Sequence, residues 1–119
     1  MASAPAPHLS PQEAVAAIAS HCIEMDGMVT LEEHDALRAA LGQVPLMGGP
    51  AQVRAVLHRV GERMRREGPE SVLDAAIQAT PPTWRTQAYD MARRLVQSDG
   101  QLDDEDSELL QRLRDEFRL

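Results

Sequence analysis

This sequence predicts an all-α fold, a compact helical bundle of about six helices, and three observations carry the prediction. Hydrophobic residues make up 43% of the chain, yet Trp84, Tyr89 and Phe117 are the whole aromatic set. The core must therefore be built from Leu, Val, Ile, Ala and Met, which suit packed helices better than sandwiches. Apolar residues recur at steps of three and four along most of the chain, the period of an amphipathic helix. Gly and Pro gather at a few points that separate these periodic stretches. At 119 residues the chain suits one domain, long enough to bury roughly two thirds of its unfolded surface in a single core.

Residues 1–11, rich in Ala and Pro, have neither a basic leading segment nor an apolar stretch, so they read as a loose tail rather than a signal peptide. The single domain is expected over residues 12–119. Ser10 followed by Pro11 marks a helix start, and Val15, Ile18, Ala19, Cys22 and Ile23 hold the helical period to about Met25. Thr30 with Glu33 has the form of a capping box, opening a second helix from Leu31 to Leu41 with Leu37, Ala40 and Leu41 inward. Gly42 to Pro50, with Gly48, Gly49 and Pro45 between them, reads as a loop. Val53, Val56, Leu57, Val60 and Met64 then define a third helix, broken at Gly68-Pro69. A short fourth helix carries Val72, Leu73, Ala76 and Ile77 and stops at Pro81-Pro82. Two more close the fold: Thr83 to Ser98, with Trp84, Ala88, Met91, Ala92 and Leu95 inward, and Asp104 to about Arg118, with Leu109, Leu110, Leu113 and Phe117.

One segment occurs twice. Ile23 to Glu33 contains Asp26-Gly27, a hydrophobe two residues later, and the acids Glu32 and Glu33; Val96 to Asp106 repeats the order with Asp99-Gly100, Leu102, Glu105 and Asp106. Without gaps, Ala19 aligns with Ala92, Asp26 with Asp99, Gly27 with Gly100, Glu32 with Glu105 and Leu37 with Leu110. The first and last helix pairs are thus expected to form two pseudo-repeated helix-turn-helix units around Asp-Gly turns, packed through a pseudo-twofold.

An apolar helix, Asp-Gly, a hydrophobe, paired acids and a second degenerate copy together resemble the tellurite-resistance TerB-like family, also seen as the N-terminal domain of some membrane-anchored J-domain proteins. The resemblance covers about residues 12 to 118. It implies a compact all-helical bundle, cytoplasmic in bacteria, without established enzymatic activity, whose repeated acids form a metal or partner site. Those acidic positions fall on Asp26, Glu32 and Glu33 in the first copy and on Asp99, Glu105 and Asp106 in the second. The family usually places a small residue before the Asp, as Ser98 does here, while Met25 departs from that pattern.

The acids also have local roles. Glu32, Glu33, Asp104, Glu105 and Asp106 stand in the first turn of a predicted helix, where carboxylates meet free N–H groups and the positive dipole end. Gly27 and Gly100 suit a helix end in the left-handed conformation. Asp26 and Asp99 close the preceding helices, where the dipole disfavours negative charge. An Asx-type bond, an Arg from a neighbouring helix or a bound cation would each compensate, with the structural options weighing more than the cation. Oxygen-only clusters select hard ions such as Ca²⁺ or Mg²⁺. Neither turn is a standard EF-hand: with each Gly at loop position six, position one falls on Leu95 or Cys22.

His21 and Glu24 stand one helical turn apart, but the Glu-x-x-His pairs of a di-metal bundle are missing. His8, His21, His34 and His58 are expected as solvated or capping residues, with His58 on the polar side of its helix. Cys22 is the single cysteine, and its apolar setting suits a small buried hydrophobe in a reducing compartment. All basic residues are Arg, five of them (Arg54, Arg59, Arg63, Arg65, Arg66) on the third helix, expected as a solvated or internally paired face ahead of a partner surface. A net charge of −7 opposes generic attraction to nucleic acid, and no run reaches the ~20 apolar residues of a membrane span. There is no Gly-rich phosphate loop, nucleophile elbow, metalloprotease His pair or lysine, so an enzyme is not expected.

The sequence therefore predicts a small cytoplasmic adaptor or sensor, connected with tellurite or metal stress, that binds through an acidic face of Asp99, Glu105 and Asp106 first, then Asp26, Glu32 and Glu33. Its partner is expected to be a protein, with a homodimer as one option, and its cofactor at most Ca²⁺ or Mg²⁺. The alternative is a metal-free structural protein–protein interaction module.

Overall fold

The computed structural model of the chain describes residues 9–24, 31–97 and 104–119, without the side chains of 24 and 31–34. Six α-helices follow one another: α1 Pro11–Glu24, α2 Leu31–Gly42, α3 Pro50–Glu67, α4 Pro69–Ala79, α5 Pro82–Gln97 and α6 Asp104–Phe117. No strand occurs among the described residues.

Helix α1 lies at the centre. Every residue from Ala14 to Ile23 is buried, and the helix is packed by α2, α3, α4 and α5. Ala14, Ala16, Ala17 and Ala19 make this enclosure feasible, because small side chains let neighbouring helices approach from several directions. Its start is held by a reciprocal cap. Glu13 N–H donates to Ser10 Oγ at 3.1 Å, and Ser10 N–H donates to Glu13 Oε1 at 3.0 Å. Leu9, within the expected tail, is already buried; residues 1–8 lie outside the described residues.

The stretch between α2 and α3 differs from the expected loop. Helix α2 runs through Gly42, and Pro45–Met47 forms a 3₁₀ turn whose Met47, with Val44 before it, is buried in the core. Gln12 Nε2 donates to Leu46 O at 2.9 Å, which ties this turn to the start of α1. Gly48 then adopts φ 83°, a value that favours glycine, and Pro50 opens α3. Gly68, with φ 90°, serves two helices. Its N–H donates to Met64 O at the end of α3, and its carbonyl accepts from Val72 N at the start of α4.

The expected inward faces of α3, α4 and α6 are buried as the helical period requires, with Leu57 only partly covered. Helix α5 begins at Pro82 rather than Thr83. Thr80 before it is buried and donates through Oγ1 to Ala76 O at 2.7 Å. Arg85 lies over the Phe117 ring, 5.7 Å from its centroid, so the C-terminal end of α6 is held against the start of α5. No helix among the described residues is long and apolar enough to cross a membrane.

Candidate functional site: the acidic start of α6 and the cleft beside it

Helix α6 opens with Asp104, Glu105 and Asp106 in its first turn, three carboxylates at the positive end of the helix dipole. Asp104 and Glu105 are exposed and Asp106 is half-buried. Helix α2 likewise begins at Leu31, placing Glu32 and Glu33 in its first turn. Asp26 and Asp99, with their glycines, lie outside the described residues, as do the side chains of Glu32 and Glu33. Of the six acids predicted from the sequence, Glu105 and Asp106 are those whose side chains are described.

Glu105 faces His21 of α1 across a cleft, and Asp106 acts on Cys22 of α1 through its charge. Cys22 there is buried, and loss of solvent pushes its thiol up to about 12, with the nearby Asp106 charge raising it further and a backbone hydrogen bond opposing. The thiol is buried in the core, as the sequence predicts. Glu105 shares a cleft of about 440 Å³ with His21 of α1, Glu70 and Leu73 of α4, and Glu108, Leu109 and Arg112 of α6.

His21 corrects the expectation of a solvated or capping histidine. It is 9% exposed, because α4 covers the side of α1 that a simple amphipathic reading leaves to solvent. Its Nε2 lies 3.8 Å from Glu70 Oε1. Burial lowers the imidazole pKa below 6.5; the Glu70 charge pulls it back up and Arg112 pushes it down. A neutral ring at neutral pH follows. Arg112 sits among acids, hydrogen-bonded to Asp74 and, at 2.6 Å, to Glu116 Oε2, with Glu70 Oε2 at 3.9 Å. The cleft thus joins a neutral imidazole, exposed carboxylates and one guanidinium that already has acidic partners. Sequence reasoning missed it because its residues come from three helices far apart in the chain; His21 with Glu24 was the one local signal, and it pointed along α1 rather than across to α4.

Other candidates resolve differently. Among the described residues no three His, Cys, Asp or Glu side chains are grouped so as to hold a metal ion. On α3, Arg59 lies 3.6 Å from Glu13, Arg63 3.1 Å from Glu67 and Arg65 2.7 Å from Glu62, and the Arg65 contact holds the Glu62 carboxyl below its ordinary pKa. These three are internally paired, while Arg54, Arg66 and His58 are exposed. A second cleft, about 380 Å³, lies between α2 and α3, with Asp35, Arg38 and Arg54 among its lining residues. Neither Glu105 nor Asp106 lines it.

Comparison with known proteins bears on the whole domain. A family model described as tellurite resistance protein TerB matches residues 12–119. No curated protein and no solved structure matches the chain.

Proposed function

The chain belongs to the TerB family, and from that membership we propose that it is a small adaptor or sensor module working through the acidic end where α6 begins beside α1. The observation that carries this reading is the position of α6. Asp106 of its first turn is close enough to Cys22 of α1 to influence the thiol, and Glu105 lines a cleft with His21 of α1. The first acidic turn follows directly after α1 in the chain. We propose that Asp99, Glu105 and Asp106, joined by Asp26, Glu32 and Glu33, take a hard divalent cation there, Ca²⁺ or Mg²⁺. Binding rather than turnover is the proposed mode of action, in the cytoplasm and in response to tellurite or metal stress, with a partner protein or a second copy as the recipient of the signal.

A metal-free interaction module is the second reading. It is supported by the place of Glu105 and Asp106 in the first turn of α6, where the helix dipole alone accommodates a carboxylate. Thermal unfolding of chelator-treated protein, with and without millimolar Ca²⁺, Mg²⁺, Mn²⁺ or Zn²⁺, separates the two. Ligand at a hundredfold over its dissociation constant adds about 2.7 kcal/mol, enough to raise the midpoint by several degrees. A rise with Ca²⁺ or Mg²⁺ that Asp99→Asn abolishes supports the cation-linked module. An unchanged midpoint with every ion leaves the acids as helix caps and partner contacts.

A further inference from the structure

The cleft between α2 and α3 is bordered by an arginine that the fold leaves unpaired. Asp35, Arg38, Ala39 and Gly42 line it from α2, and Pro50, Val53 and Arg54 from α3, with Gly48 between them. On each helix these residues follow at steps of three and four, so they form one face. Val53 is buried and makes the floor, while Ala39, Gly42 and Pro50 are exposed at the sides. Their small size leaves a space of about 380 Å³. Arg59, Arg63 and Arg65 of α3 each have an acidic partner. Arg54 makes no ion pair or hydrogen bond through its guanidinium among the described residues. Arg38 donates one N–H to Asp35, Nη2 to Oδ1 at 2.8 Å, which leaves most of its five donors open. The described lining therefore sets two guanidiniums against one carboxylate.

We propose that this cleft binds a small monocarboxylic acid with a compact apolar body, its carboxylate held by Arg54 and the open N–H groups of Arg38, its body against Val53, Ala39 and Pro50. Charge selects the head group. With Asp35 already opposite Arg38, one positive charge in the lining is left unbalanced, and a monoanion neutralises it. A phosphate monoester, at about −2, would leave excess negative charge beside the Asp35 carboxylate, where like charges repel. The planar fork of a guanidinium also matches the two oxygens of a carboxylate. Size selects the body. A cleft of about 380 Å³ stands at the small end of ligand pockets, which span about 300–1,000 Å³, and its buried apolar floor is the single side chain of Val53. A single ring or a short branched chain covers that floor, whereas an extended polypeptide would lie mostly outside it.

The shape of the cleft can be altered without touching the core. A Cβ at Gly42 would meet no atom within 4 Å, and Ala39 is exposed, so a larger side chain at either position fills the space from its open side. Acid binding here and cation binding at the start of α6 are separable, because neither Glu105 nor Asp106 lines this cleft: Arg54→Gln removes the first and Asp99→Asn the second.

The test records amide and arginine side-chain NMR spectra of the full chain, with benzoate as the probe at constant pH and ionic strength. The expected result is a saturable shift of the Arg38 and Arg54 Nε–H signals and of the Gly42 and Gly48 amides, with a Kd of about 1 mM or below. Benzamide, with the same ring and no charge, should leave these signals in place, and phenyl phosphate should bind at least about tenfold more weakly than benzoate. Arg54→Gln and Ala39→Leu should each weaken benzoate about tenfold or more, while Asp99→Asn leaves it unchanged. Both altered positions are exposed, so the fold should persist, which the far-UV spectrum and thermal midpoint check. The proposal is overturned by equal binding of benzamide, by tighter binding of phenyl phosphate or of a blocked Ala-Ala-Glu-Ala-Ala peptide, or by unmoved cleft signals up to about 10 mM benzoate. Benzoate binding that survives both Arg54→Gln and Ala39→Leu would also overturn it.

Discussion

Burial of His21 couples folding to pH. Its pKa is lowered in the fold below the 6.5 of the free group, so between those two values the unfolded chain binds more protons than the native one. Stability therefore rises with pH across that window: the contribution is complete above about pH 6.5 and is lost as pH falls toward the folded pKa. Urea midpoints measured from pH 7.5 down to 5.5 should decline, and His21→Gln should flatten that part of the profile. A wild-type midpoint that climbs on acidification in this range contradicts the buried neutral imidazole. Cys22 leads to a kinetic counterpart. A thiol at about 12 supplies almost no thiolate at neutral pH, and thiolate is the reactive form. Native protein should react with a disulfide reagent only at the rate at which α1 becomes exposed, and urea below the transition should accelerate the reaction. Reaction at the speed of a free thiol would place Cys22 at an accessible surface.

Helix ends supply the next level of organisation, because each leaves backbone groups that need partners. The reciprocal Ser10 and Glu13 cap fixes the start of α1, and the same Glu13 carboxylate reaches Arg59 of α3 at 3.6 Å. Ser10→Ala should cost about 1 kcal/mol, the usual value of a lost N-cap, measurable as a lower urea midpoint with an unchanged slope. Gly68 carries a heavier requirement. At φ 90° and ψ 144° it occupies backbone territory nearly closed to other residues, and it closes α3 while opening α4. A Cβ there would meet no atom within 4 Å, so the cost of Gly68→Ala is one of backbone strain rather than crowding, about 1–3 kcal/mol. A neutral Gly68→Ala would mean that the joint between α3 and α4 bends some other way. The break was legible as Gly-Pro in the sequence, whereas the sharing of one glycine by two helices depends on the angle between them, which local sequence does not encode.

The order of helices and their inward faces were legible because each surface helix buries one stripe, and that stripe repeats with the helical period: Val53, Val56, Val60 and Met64 on α3, or Leu109, Leu110, Leu113 and Phe117 on α6. Periodicity says less about a helix enclosed on all sides, where alanine is placed by how closely neighbours approach. For α1 the inward set Val15, Ile18, Ala19, Cys22 and Ile23 is buried, but so are Ala16, Ala17, Ser20 and His21, and the cleft around His21 could not be read from a one-sided helix. Of the predicted acidic face, the placement of acids at helix starts was legible from capping chemistry. The Asp-Gly turns themselves, and with them the pseudo-twofold, lie outside the described residues. The enclosure of α1 makes a prediction that distinguishes it from a surface helix. Ala17 is 1% exposed and lies outside the inward set, whereas Ala55 on α3 is exposed. Ala17→Leu should overpack the centre of the bundle and cost about 1–3 kcal/mol, while Ala55→Leu should stay within about 0.5 kcal/mol of wild type. Denaturant unfolding of the two variants decides the matter: equal midpoints would return α1 to the periphery, and a loss confined to Ala17→Leu keeps it at the centre around which the other helices, and the cleft they form, are arranged.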